Sequence, residues 1–227
     1  MVMAVRWATT TARMAFPLPM ADLDRLRLTQ ILSPAFPIGA FAHSQGLEWA
    51  IATERVRNGK GLQDWIEAVI AHGSGHSDAV FLSMSRRPGA DFAELGDLYN
   101  AYVPSAERAL ESSELGRGFR ALTNPEAPAL PYVLALGLAT SPLAIPETEV
   151  IALYLQTLAA QLVSVAVRFL PLGQAEGQRI LAALAPVILA TARSCTGART
   201  EALSTFTTGA DIAAMAHETM ETRIFRT

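Results

Sequence analysis

Val150 to Val167, VIALYLQTLAAQLVSVAV, is a run of eighteen uncharged residues closed by Glu149 on one side and Arg168 on the other. Its reading decides the fold, because about 20 predominantly apolar residues are also what a bilayer-crossing helix needs. Ile151, Leu155, Leu158, Leu162, Val165 and Phe169 recur at helical spacing, so the run is an α-helix with one strongly apolar stripe. Gln156, Thr157, Gln161 and Ser164 interrupt it, and no lysine cluster flanks it. The run is therefore expected to be a core helix of an all-α protein, covered by other helices and not by lipid. No membrane partner is expected.

The rest of the chain agrees with that period. Leu62, Trp65, Ile66, Val69 and Ile70 form one stripe, and Phe92, Leu95, Leu98, Tyr99 and Tyr102 form another. Strand-like alternation is almost absent, and the abundant alanine favours helix and close helix–helix approach. Helices are predicted over about 22–32, 44–54, 62–70, 77–86, 91–103, 105–122, 147–170 and 174–194, with a last short one from Asp211. Pro34, the turn Asn58-Gly-Lys-Gly61, Arg87-Pro-Gly89, the segments 124–128 and 141–146, and Pro171-Leu-Gly173 separate them, and Pro186 should kink the 174–194 helix. The expected fold is all-α, a single-domain multi-helix bundle of about ten helices over 22–227, preceded by a mobile tail at 1–21.

Bulk properties narrow the function. At 227 residues with 51% hydrophobic and 17% charged residues, the chain is long and apolar enough to bury one sizeable core. A net charge of −3 carries no electrostatic footprint for nucleic acid. A lone cysteine, Cys195, forms no intrachain disulfide and suits a reducing compartment, so a cytoplasmic location is expected. The first twenty residues hold two arginines and no acid, but lack the apolar core of about 7–15 residues that a secretory leader needs.

Catalytic patterns are weak throughout. Asn58-Gly-Lys-Gly61 lacks the upstream glycine and the hydroxyl residue of a phosphate-binding loop, so no GTP or ATP hydrolysis is expected of this chain alone. His72 and His76 stand four apart, the spacing of a helical metal chelate, with Asp78 nearby. Gly73 and Gly75 between them argue for a helix end, and a metal site needs at least three protein ligands. A helical metal-dependent hydrolase using His72, His76 and Asp78 is the alternative reading; otherwise no tightly bound cofactor is expected. Ser44 and Ser74 lie outside any G-x-S-x-G elbow, and His217-Glu218 has Glu221 where a metalloprotease helix repeats its histidine.

Two segments have an unusual chemistry. Ser33 to Glu48, SPAFPIGAFAHSQGLE, and Met215 to Thr227, MAHETMETRIFRT, each join aromatic residues to a histidine and an acid. Pro34 and Pro37 restrict the first, while Gly39 and Gly46 permit turns. A stiff apolar loop loses little entropy when it docks on a partner. Equally, Phe36, Ile38 and Phe41 can cap the core, since buried aromatics are common.

The first segment resembles the N-terminal signature of the urease accessory protein UreF family. Further stretches match that family in order: 73–79 with Asp78; Ser105-Ala-Glu-Arg108 with Leu115-Gly116; Gly137-Leu-Ala139; AQLVSVAVRFLPLGQAEG over 160–177; and His217-Glu218 followed by Arg223-Ile-Phe-Arg226. Three positions depart from it. Leu130-Pro-Tyr-Val-Leu134 lacks a histidine common there, His43 stands where tyrosine is frequent, and Thr227 replaces a usual serine.

The resemblance implies an all-α, non-catalytic chaperone subunit, commonly dimeric, for urease maturation. It implies binding to a UreD/UreH-type protein and, through it, to the GTPase UreG, with the assembly docking on urease apoprotein for GTP-dependent insertion of nickel. Nickel is then cargo of the partner complex. Phe36, Pro37, Phe41, His43, Gln45 and Glu48 of the loop, and His217, Glu218, Arg223, Phe225 and Arg226 of the tail, are the implied partner-binding residues. By motif matching, the resemblance implies that Phe41 and His43 correspond to the loop region that helps recruit the GTPase, and Arg223 to the family's tail arginine. Phe225 and Arg226 are included for their adjacency. The tail carries no large core stripe, so it is expected to be exposed and to order on binding.

Overall fold

The computed structural model describes residues 20–203 and 207–227. The tail expected over 1–21 lies outside them, apart from Met20 and Ala21 at the start of the first helix. Eleven α-helices and no strand are found among the described residues. In chain order they are α1 Met20–Ile31, α2 Leu47–Ala52, α3 Gly59–His72, α4 Ser74–Ser85, α5 Phe92–Tyr102 and α6 Ala106–Thr123. After these come α7 Tyr132–Thr140, α8 Glu147–Ala166, α9 Gln174–Ala183, α10 Ala185–Cys195 and α11 Thr208–His217. Short 3-10 turns occupy Ala40–Ala42 and Thr200–Ala202.

The decisive helix, α8, sits where its stripe requires. Ile151, Leu155, Leu158 and Leu162 are buried, and α2, α3, α4, α9 and α10 all pack on it. By length and composition it could cross a bilayer, yet 56% of its most apolar window is enclosed by the protein's own helices. Burying a leucine is worth about 1.5–3 kcal/mol, so this stripe is a main source of the driving force for the bundle.

Local signals set the helix starts. Asn58, Asp91 and Ser105 are N-caps: Asn58 Oδ1 accepts from the Gly61 amide, Asp91 Oδ1 from Ala93 and Glu94, and Ser105 Oγ from Arg108. The predicted turn 58–61 is thus the cap and first turn of α3, because the Asn58 carbonyl also takes the Leu62 amide. The predicted 174–194 helix is two helices: Pro186 lies in the first turn of α10, where its missing N–H costs nothing. Glycine governs one crossing. A Cβ on Gly116 of α6 would run into the carbonyl of Leu130, so only glycine lets α7 and its lead-in lie this close to α6.

Candidate functional site

The loop 33–48 is held by three left-handed residues, Gly39, Gln45 and Gly46, with φ of 83°, 56° and 80°. Its apolar side chains part company. Phe36 packs on Phe119 of α6 with ring centroids 5.8 Å apart, and Ile38 lies over Gly118. Phe41, at the crest of the 3-10 turn, is 67% exposed. The loop's aromatics thus divide: Phe36 closes the core, as one reading of the sequence had it, and Phe41 faces outward.

The tail returns to this loop. The Ala42 carbonyl accepts from the Arg226 amide at 2.8 Å, and the Thr227 carbonyl accepts from the Ser44 amide at 2.7 Å and from the Ser44 hydroxyl. Phe225 is only 3% exposed; it stacks on Phe169, 5.7 Å between centroids, beneath the Arg168 guanidinium. On the outside, Arg223 pairs with Glu107 and Arg226 with Glu114, both acids on α6. The expectation of an exposed tail holds for Arg223, Ile224 and Arg226 and is corrected at Phe225 and Thr227, which are buried. Phe225 provides a buried anchor where the sequence shows no long stripe, and neighbouring elements supply the partners for its backbone.

Below the loop lies a buried charged cluster. Arg108 of α6, 6% exposed, donates from Nη1 to Glu111 Oε1 at 2.6 Å and lies 3.9 Å from Asp78 Oδ2. Tyr154 of α8 donates to Asp78 at 2.6 Å, and Gln45 Nε2 donates to Glu111 at 3.1 Å. Burial is the largest single influence on Glu111 and disfavours its carboxylate, but the Arg108 charge together with the hydrogen bonds from Arg108 and Thr227 outweighs it, and the pKa lies below the usual range. Burial dominates at Asp78 and pushes its pKa up despite Arg108. These residues form one side of a cavity of about 220 Å³, walled by Ile31, Phe36, Leu115 and Tyr132.

His43 belongs to the same cluster. Thr227 Oγ1 gives its only proton to Glu111 Oε2 at 2.9 Å, so His43 Nδ1, 3.2 Å away, is the donor in that contact. Burial lowers the His43 pKa from its ordinary 6.5; Glu111 opposes this, while Arg226 and Arg108 reinforce it. With a depressed folded pKa, the native state binds fewer protons than the unfolded chain. His43 then costs stability as pH falls from about 6.5 toward the folded pKa, and no further below it. The stability gap between wild type and His43→Asn should therefore shrink as pH falls below about 6.5, measured as urea midpoints; a gap independent of pH would exclude the depressed pKa.

The predicted site residues divide by position. His43, Glu48, His217 and Phe225 are buried; Phe36 and Gln45 are half-buried; Pro37, Phe41, Glu218, Arg223 and Arg226 are exposed. Loop and tail are brought together by Glu48 and His217 and by the Ala42–Arg226 and Ser44–Thr227 backbone bonds. Glu218 instead caps α6, accepting from the Ala106 and Glu107 amides. Sequence reasoning missed Glu107, Arg108, Glu111 and Gln161, whose side chain donates to the His43 carbonyl at 3.0 Å. The i,i+3 pair Arg108–Glu111 was the available signal. The alternative hydrolase triad is not assembled. His72 ends α3 in solvent, His76 begins another helix and Asp78 is buried on Arg108, and no group of three metal-ligating side chains occurs among the described residues.

Known proteins are similar to this chain over most of its length. Residues 56–185 match the family model described as UreF. A protein of Paracoccus denitrificans named urease accessory protein UreF is 51% identical over 209 residues, covering 90% of this chain and 97% of its own. A Cereibacter sphaeroides protein of the same name is 49% identical over 89% of this chain and 98% of its own. A more distant one from Rhodopseudomonas palustris, again so named, is 37% identical over 88% of this chain and 90% of its own.

Proposed function

The chain belongs to the UreF family of urease accessory proteins, and on that premise we propose that it works by binding and not by chemistry. It serves as a chaperone subunit in urease maturation, acting in the cytoplasm as a homodimer. It joins a UreD/UreH-type accessory protein to the GTPase UreG, and the assembly delivers nickel to urease apoprotein at the cost of GTP. The metal is cargo of that assembly, and the nucleotide belongs to the GTPase.

One observation carries this reading: the loop and the tail, far apart in sequence, form a single surface on which Phe41 and Ile224 stand exposed beside the Arg223–Glu107 and Arg226–Glu114 pairs. Exposed aromatic and aliphatic side chains on a surface that also carries arginines have the composition of an interface hot spot. Phe41→Ala removes mostly exposed surface, so the isolated protein should unfold within about 1 kcal/mol of wild type. Co-expressed with the three partners, the variant should recover at least about ten-fold less GTPase on affinity purification, since hot-spot truncation costs 2 kcal/mol or more. Equal recovery of the GTPase by Phe41→Ala and wild type would overturn the assignment of this surface.

A further inference from the structure

Within that surface one buried group touches nothing outside the protein. His217, the last residue of α11, is 0% exposed and lies between two carboxylates from different helices. Its Nε2 is 3.2 Å from Glu48 Oε2 on α2, and its Nδ1 is 2.7 Å from Glu107 Oε2 on α6. The ring thus bridges two carboxylates, one at each nitrogen.

The same two carboxylates hold three successive residues of the tail. Glu107 Oε1 accepts from the Arg223 guanidinium. Glu48 Oε1 accepts from the Ile224 amide at 2.7 Å, and Glu48 Oε2 accepts from the Phe225 amide at 2.9 Å. We infer that His217 is the positioning residue of the tail: by clasping Glu48 and Glu107 from between, it fixes both carboxylates in the orientation that grips residues 223–225 in one register. Carboxylates accepting charge-assisted bonds are strong anchors, but on flexible side chains they orient only if something holds them. A slip of one residue along this grip would take Phe225 out of its contact with Phe169 and Arg168 and move Arg226 away from Glu114. The clasp stands on this geometry alone; its consequence for partner recruitment rests on the function proposed above.

Amide hydrogen exchange on the isolated full chain tests the clasp without any partner. His217→Phe keeps the ring volume and removes both nitrogens. Exchange at the Ile224 and Phe225 amides should accelerate about ten-fold or more, the size of one charge-assisted hydrogen bond lost, while amides in the middle of α8 keep their wild-type rates. His217→Gln, which offers a donor to one carboxylate only, should lie between, and it carries the same comparison should the Phe variant fail to fold. Unchanged rates at 224 and 225 in the folded variants would overturn the proposal. So would an equal acceleration at 224, 225 and α8, because that is what a merely structural core histidine gives. Failure to fold in both variants would likewise assign His217 to the core and not to the tail. Failed recovery of the GTPase with an intact clasp would count against the proposed function alone.

Discussion

Replacing Arg108 by alanine should lower the unfolding free energy by about 3–5 kcal/mol, which is what breaking a buried ion pair from one side costs. The size follows from what remains. Glu111, 1% exposed, would lose its 2.6 Å guanidinium partner and keep only donors from Gln45 and Thr227. Arg108→Met would fare little better, since it fills volume and leaves the carboxylate uncompensated. The double variant Arg108→Met/Glu111→Leu removes both charges, and it should recover a large part of the loss because an apolar replacement of a whole pair is often neutral. Urea unfolding of the three variants decides this. A loss below about 1 kcal/mol for Arg108→Ala would mean that the pair is hydrated and screened as a surface pair is. No rescue in the double variant would mean that Asp78, not Glu111, is the group Arg108 compensates.

Much of the bundle was legible because its helices announce themselves by period and cap. The stripe of α8 and the start of α6 at Ser105 are local features, and local features are what a sequence displays, whereas Asn58 reads as a turn and proves to be the cap of α3. α7 was harder: YVLALGLAT is apolar on every side, so no period marks its inner face, and only burial by α4 and α6 explains it. The site was legible in part. Loop and tail were singled out by their proline, glycine and aromatic content, yet which of their residues point outward depends on long-range contacts. Glu48 and Phe225 look alike in sequence to any exposed acid and aromatic. They are buried because a tail residue 177 positions away lends its amide to that acid, which no local pattern encodes. Glu107, Arg108 and Glu111 escaped notice for the opposite reason, since charges at this spacing on a helix are usually a solvated face.

Gly46→Ala should be the most damaging single methyl that can be added to the loop. Gly46 has φ of 80°, and a Cβ built there would lie 2.5 Å from the Ala214 amide nitrogen and 2.7 Å from the Ala213 carbonyl carbon of α11. The left-handed backbone alone costs an L-residue about 1–2 kcal/mol. The clash adds about 1–3 kcal/mol more, because the atoms met are helix backbone and cannot rotate aside. Gly39→Ala separates the two contributions within the same loop: its φ is 83°, but nothing lies within 4 Å of the added methyl. Gly39→Ala should therefore show the conformational cost alone, and Gly46→Ala that cost plus the displacement of α11. Since α11 carries His217 and leads into the tail, the Gly46 variant should also expose residues 223–227 to protease at concentrations that leave the Gly39 variant intact. Equal destabilisation by the two alanines would show that α11 does not rest on Gly46.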